Sequence, residues 1–440
     1  MTMTHLAAIL HLDHWLQRHD CQAYDPFDGL NARWLRPLAA GRVGRQLLQQ
    51  GVRHCPVNLR PWLGIRPAPS SKGHAFLARG WLRLFRACGD TSWRDKALAS
   101  LDWLQANASP AWGGLSWGNH FDYQSRVFYL PRGTPTIVWV ALIGQAFVDA
   151  WEVLGQRRHL DTARAACEFM LTGLERRPAA RGLCLSYIPG AWACVHNANM
   201  LGAALLARVA AHTGECALMD VADAALDYTA AAQRPNGAWW YGEAAELHWV
   251  DSFHTGYVLD ALTCHAQANG GEQRHPLALA RGADHYVAHF FLPDGTPRYY
   301  DSRTWPIDIQ CAAQAIDTLS LLAEVRHQPA LHELAERVAD WTIVHMQDPS
   351  GYFHYRRLPG GLVNRTPTLH WGQATMLHAL AGLELRRVLM SHGPPSPSGT
   401  ALSAVTFATG EGDPTEALPG SPRPAQAHQD RTHHSEGVAA

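Results

Sequence analysis

The sequence predicts an all-α protein, an (α/α)6 toroid in which six helical hairpins close into a ring. Short β-like loops are expected on one rim. Three observations predict it. Helices of two kinds alternate along the chain; Gly-rich aromatic turns separate them; and helical patterning stops near residue 392. The chain has 440 residues, 47% of them hydrophobic and 17% charged, ample for a large core. The expected division is one toroid domain over 1–391 and a disordered Pro/Gly/Ser/His-rich tail over 392–440.

The first helix type recurs at 97–107, 163–171, 221–233, 279–291 and 334–347. Each segment places small or apolar residues three and four apart and ends near an aromatic, the spacing of an amphipathic surface helix. Turns such as PNGAWWYG, PDGTPRYY and DPSGYFHY follow, and their Asn-Gly, Asp-Gly and Ser-Gly pairs demand tight reversals. The second type covers 73–89, 134–155, 197–215, 254–271, 311–325 and 370–385. These are apolar around most of their circumference, so they belong inside. Outer helix, decorated loop and inner helix therefore repeat, and a helix around 36–51 is expected to be the sixth outer partner. The loops before the inner helices are long and unlike one another. That favours a ring with one functional rim over a uniform solenoid.

Bulk properties exclude several functions. The formal net charge is −1, which gives no overall basic field for nucleic acid. No phosphate loop, dinucleotide fingerprint, HExxH or Cys/His ligand spacing occurs, and no GxSxG elbow. No metal or cofactor is expected. The nine cysteines are scattered without a CxxC pair and read as reduced thiols. The first residues lack a signal-peptide pattern, and no run of about 18 apolar residues is evident. A cytoplasmic chain without membrane insertion is the expectation; oligomeric state is not legible.

Polar and aromatic residues gather at the starts of the inner helices and in the loops before them. WWYGEAAELHWVDSFHTG supplies Trp240, Tyr241, Asp251 and His254. Asp251 and His254 are three apart and share a face of a helix start, so the carboxylate can orient the imidazole for proton transfer, cap the helix, or do both. In SWGNHFDYQSR, Asp122, Gln124 and Arg126 alternate beside Trp117 and would project to one side of an extended piece. Asp301, Arg303 and Asp308 occupy the loop before the fifth inner helix, with Asp308 a possible second carboxylate or a cap. His196 and Asn199 open the third inner helix; Arg365, Trp371 and Gln373 precede the sixth. Asp251, His254, Asp308, Asp122 and His196 are the candidate catalytic groups, and the others candidate substrate contacts. YDPFDGLN, with Asp25, Asp28 and Asn31, either folds over the ring or forms an Asx-type turn, and the turn is the preferred reading.

DPFDGLN, SWGNHFDYQSR with FYLPRGTPTIV, HNANMLGAALLARV, DSRTWPIDIQCAAQAI and NRTPTLHWGQATMLHAL resemble bacterial proteins of the VpsJ type over residues 20–390. Such proteins are toroids encoded with polysaccharide biosynthesis machinery. There is a more distant similarity to N-acylglucosamine 2-epimerases, unsaturated glucuronyl hydrolases and glucuronyl C5-epimerases. The resemblance implies a carbohydrate partner, with uronate content among the options, in exopolysaccharide or capsule production. Two function classes follow. One is an enzyme, with hydrolase, lyase and epimerase all open; the other is a non-catalytic carbohydrate-binding or assembly factor.

Overall fold

The all-round apolar segments become the inner wall of a ring. The structure, a computed structural model, describes residues 4–126 and 128–392. Its helices are α1 (His5–Arg18), α2 (Gly41–His54), α3 (Ser71–Cys88), α4 (Thr91–Ala106), α5 (Ile137–Leu154), α6 (Arg157–Glu168) and α7 (His196–Thr213). They continue as α8 (Cys216–Ala231), α9 (Ser252–Ala268), α10 (Pro276–His289), α11 (Ile309–Val325), α12 (Pro329–Met346) and α13 (Thr375–His392). Apart from His392, which ends α13, the expected tail over 392–440 lies outside the described residues.

The odd-numbered helices from α3 to α13 pack each on the next, and α13 packs back on α3, which closes the ring. Gly80 permits that closure, since a Cβ there would sit 3.1 Å from the His378 backbone nitrogen. Helices α4, α6, α8, α10 and α12 back their inner neighbours from outside. Local signals set the boundaries. Ser70, Thr136, Asp251 and Asp308 accept hydrogen bonds from the first turns of α3, α5, α9 and α11. Gly89, Gly155 and Gly214 end α3, α5 and α7 with φ near +70°.

The sixth outer helix differs from the sequence expectation. It is α1, which packs on α13 and joins the chain's beginning to its last inner helix. Ala8, Ile9, Leu12 and Leu16 are its buried stripe, and Asp13 accepts from Trp81 and pairs with Lys96. The segment around 36–51 instead forms α2, which packs on the turn Asp28–Asn31 and the short strand Tyr123–Gln124. Gln49 and Gln124 exchange hydrogen bonds through Gln49's side chain, and a buried Arg60–Asp28 ion pair ties this excursion down.

The rim carries only short strands, including the pair Tyr123–Gln124/Tyr129–Leu130 and the three-stranded set at 307–308, 356–357 and 363–364. Among the described residues one helix, α5, is long and apolar enough to cross a membrane, where the sequence analysis expects an inner helix and no such apolar run. It stands between α3 and α7 in the inner ring with 72% of that window buried, the place for a helix apolar on all sides.

Candidate active site

Because each inner helix follows its decorated loop, all six start at the same end of the ring. Their first turns and the preceding loops enclose a cleft of about 820 Å³, roofed on one side by α2. Lys72, Asn197, His254 and Gln310 reach it from the first turns of α3, α7, α9 and α11; His370 and Trp371 reach it from the π-helical turn Leu369–Ala374 before α13. π-helical turns recur at functional sites because they re-aim side chains. The helix dipoles converge with their positive ends on this space.

Its charge is lopsided. Among the described residues lining it, Arg53, Lys72, Arg126, Arg303 and Arg356 are cationic, three more are histidines, and Asp25 is the single carboxylate. Tyr and Phe side chains cover much of the rest, together with Trp139, Trp249 and Trp371. Flat aromatic faces beside hydrogen-bonding groups suit a sugar ring.

Two clusters inside the cleft have side chains of the kinds that transfer protons. In the first, Asp251 caps α9 through the His254 amide at 3.0 Å and holds His254 Nδ1 at 2.7 Å; Trp249 Nε1 donates to the same carboxylate at 2.9 Å. Cap and orienter are thus one residue. With Nδ1 engaged, the lone pair of His254 lies on Nε2, on a side chain 20% exposed. Tyr241 stacks on Trp249 and leans on His254, and the Arg126 guanidinium lies 4.9 Å from the Trp249 ring centre. Arg303 rides over Tyr300 on the same rim.

The second cluster escaped sequence reasoning. His370 Nδ1 stands 2.8 Å from Asp25 Oδ2, at an angle poor for a hydrogen bond, and both residues are buried. Burial alone would raise the Asp25 carboxyl, yet His370 and His120 beside it hold it at about 2. Burial and nearby Lys72 push His370 down to about 4, so at neutral pH the carboxyl is ionised and the imidazole neutral. Lys72 Nζ sits 3.6 Å from the Trp139 ring centre; burial lowers it to about 7, with Asp25 acting against the drop. A buried amine near 7 holds or releases a proton at physiological pH. Lone residues such as Lys72 and His370 carry no spacing signal; the recurring position at inner-helix starts was the available clue.

Of the sequence candidates, His254, Gln124, Arg126, Tyr241, Arg303 and Trp371 line the cleft, and Asp251 stands directly behind His254. Gln124 is nonetheless engaged, accepting from Arg45 and donating to the Ser125 and Phe128 carbonyls. The others lie elsewhere. Asp308 is fully buried, capping α11, pairing with Arg356 at 2.5 Å and accepting from Trp371 Nε1 at 2.9 Å; it braces two lining residues and does not face the opening. Asp122 is on the outer rim, bonded to Arg36 and the Arg132 amide. His196 is buried against Glu243 at 3.2 Å, and its neighbour Asn197 takes the cleft position. One helical residue is about 100° of rotation, which here turns His196 away from the cleft and Asn197 toward it.

Trp117, Asn199 and Gln373 are buried brackets. Trp117 donates to the Leu104 carbonyl; Asn199 joins the Leu185 amide to the Ala225 carbonyl; Gln373 holds both backbone groups of Phe353. Trp240 stacks on His248 and Arg234. Asp301 stands 3.9 Å from His285, and Arg365 is exposed on a loop.

No family model and no curated protein sequence matches the chain. Solved structures do. The cellobiose 2-epimerase of Bacillus thermoamylovorans B4167 is 10% identical, with a TM-score of 0.57 over 72% of this chain and 88% of that one. A GH76 α-mannanase of Bacteroides thetaiotaomicron is 12% identical, TM-score 0.57, over 72% and 87%. A polysaccharide lyase is 12% identical, TM-score 0.52, over 73% and 91%. What they share with this chain is the toroid, on which three different reactions are built.

Proposed function

We propose that this protein is a carbohydrate-active enzyme that removes a proton from a carbon beside the carboxylate of a uronate-containing saccharide, and that epimerisation is the outcome. The observation that carries this reading is the cleft's charge: five Lys or Arg side chains, of which Arg356 is paired with Asp308 behind it, against Asp25 as the single carboxylate among the described lining residues. Glycoside hydrolysis uses two carboxylates facing the scissile bond. Here Asp25 is held by His370, while Asp251 and Asp308 are turned into bracing contacts. Carbon–hydrogen acidity needs the opposite equipment, a base plus cations for the developing negative charge.

His254 Nε2 supplies the base, with Asp251 fixing its tautomer. The C–H bond breaks, the proton goes to Nε2, and the electron pair passes into the carboxylate, where Arg126 and Arg303 offset its charge. Lys72 supplies a proton to the same carbon and completes the inversion. The aromatic lining positions the sugar ring. The sugar-processing structural neighbours support the substrate class, the resemblance to VpsJ-type proteins supports a place in polysaccharide production, and the scattered cysteines without a CxxC pair support a cytoplasmic location.

The test is incubation with uronate-containing and neutral oligosaccharides in deuterated water, read by mass spectrometry and NMR. Deuterium at the carbon next to the carboxylate, with an inverted centre and the chain intact, is expected. An unsaturated product would turn the reading to a lyase. Chain shortening without exchange would make it a hydrolase, and binding without any product a carbohydrate-binding factor.

A further inference from the structure

The segment that roofs the cleft has a composition unlike the rest of the chain. Between Gly29 and Ser70 there are seven arginines and no Asp or Glu, although the whole chain carries 37 basic and 38 acidic residues. Among the described residues sixteen large hydrophobic side chains are exposed, and seven of them fall between Trp34 and Trp62. Leu38, Leu47 and Trp62 are each at least 70% exposed. Singly scattered apolar residues need no explanation, but a concentration of this kind marks an interaction surface.

The pieces are neighbours and are held in place. The Arg33 amide donates to the Leu63 carbonyl at 3.0 Å, and Trp34 Nε1 lies 3.6 Å from where a Gly64 Cβ would be, so 33–38 and 62–66 lie side by side. Val43 and Leu47 share one face of α2. The buried Arg60–Asp28 pair closes the segment on itself, and bonds from Asn364 Nδ2 to the Cys55 carbonyl at 2.8 Å and from Arg53 Nε to Tyr355 Oη at 3.1 Å fasten it to the ring.

We infer that this surface docks the protein on an anionic lipid bilayer, lying in the headgroup layer without crossing it. Of the seven arginines Arg33, Arg36, Arg42 and Arg66 are exposed, with Arg36 also paired to Asp122, while Arg60 is buried on Asp28. Exposed Trp and Leu interleaved with these exposed arginines combine apolar burial with attraction to acidic headgroups. Two other occupants fit less well. A second copy of this chain would set arginines against arginines with no carboxylate from the segment to pair them. Nucleic acid would use the arginines and tryptophans but leave Leu38, Val43, Leu47 and Val57 without a role. Since Val43 and Leu47 also line the cleft, docking sets the cleft mouth toward the headgroups.

The experiment is cosedimentation of the full chain with phosphatidylcholine vesicles, with and without phosphatidylglycerol. Binding to the phosphatidylglycerol vesicles is expected, roughly tenfold weaker without that lipid and reversed by high salt. A Trp34→Ser/Leu38→Ser/Trp62→Ser variant and, separately, an Arg33→Gln/Arg66→Gln variant lose about tenfold in binding while retaining the wild-type circular dichroism. Absence of binding to phosphatidylglycerol vesicles, equal binding to both vesicle types, or unchanged binding by the folded variants would overturn the inference. So would a dimer that the apolar variant converts to a monomer, or binding of an oligonucleotide in place of vesicles. None of these readouts depends on turnover, so failure here is distinct from failure of the proposed reaction.

Discussion

The ring has two open ends, and they differ in one respect. At the helix starts, the cleft sets five Lys or Arg residues against a single carboxylate. At the other end, the second halves of the six inner helices enclose a cavity of about 430 Å³ lined by five arginines and five carboxylates. There the charges pair among themselves: Arg79 and Arg208 on Asp149 at 2.7 and 2.8 Å, Arg83 on Asp317 at 2.6 Å, Arg386 on Glu324 at 2.5 Å. Asp260, pushed up to about 8 by burial and by Asp317, is protonated at neutral pH and adds no charge. Phe76 and Tyr257 border both spaces. A paired network braces the inner helices against one another, whereas in the cleft Arg356 is paired with Asp308 and the excess of cations over carboxylates is left for a ligand to neutralise. Polar burial alone therefore does not locate a site in this fold; imbalance of charge does.

Substitutions at the two ends should separate stability from turnover. Asp317→Asn leaves Arg83 without its buried partner and should cost about 3–5 kcal/mol in chemical denaturation, with activity per folded molecule little changed. His254→Asn should do the reverse, with deuterium exchange into substrate falling about 10³-fold and the melting temperature holding. Lys72→Met should move both quantities in opposite directions. It removes a buried amine whose folded-state value lies near 7, so stability at pH 6 should rise by on the order of 3 kcal/mol while turnover is lost.

The buried histidines give an acid response of comparable size. His74 and His370 are lowered to about 4 and His378 to about 3, chiefly by burial. Their folded values lie below the unfolded 6.5, so the unfolded chain binds more protons in between. Stability should therefore be full above about pH 6.5 and fall steadily as pH drops toward 4 and 3, by roughly 2 kcal/mol or more for each buried histidine. Thermal melts at half-unit pH steps check this, and replacing His378 by Gln should flatten the slope.

The same contrast explains what could be read from the sequence. Inner helices announce themselves because an apolar circumference is a local property, and all six were legible within a few residues. The pairing of outer helices is not local. Helices α1 and α2 both have amphipathic sequences, and only the geometry of closure decides that α1 backs α13 while α2 roofs the cleft. In the site, Asp251 and His254 were legible because three residues on a helix is a contact distance. Lys72, Asp25 and His370 come together from positions up to 345 apart in the chain, and no spacing rule spans that. Asp308 and Gln373 looked like cleft residues by composition, but their hydrogen-bonding capacity is consumed by backbone groups and by Arg356 and Trp371.

The most direct test of the account is a calorimetric titration of the protein with a uronate oligosaccharide and with its carboxyl-reduced, neutral counterpart of the same length, at low and moderate salt. The account predicts that the uronate form binds at least about tenfold more tightly, that added salt narrows the gap, and that an Arg126→Gln/Arg303→Gln variant abolishes it. Equal affinity for the charged and neutral saccharides in the wild-type protein would contradict it.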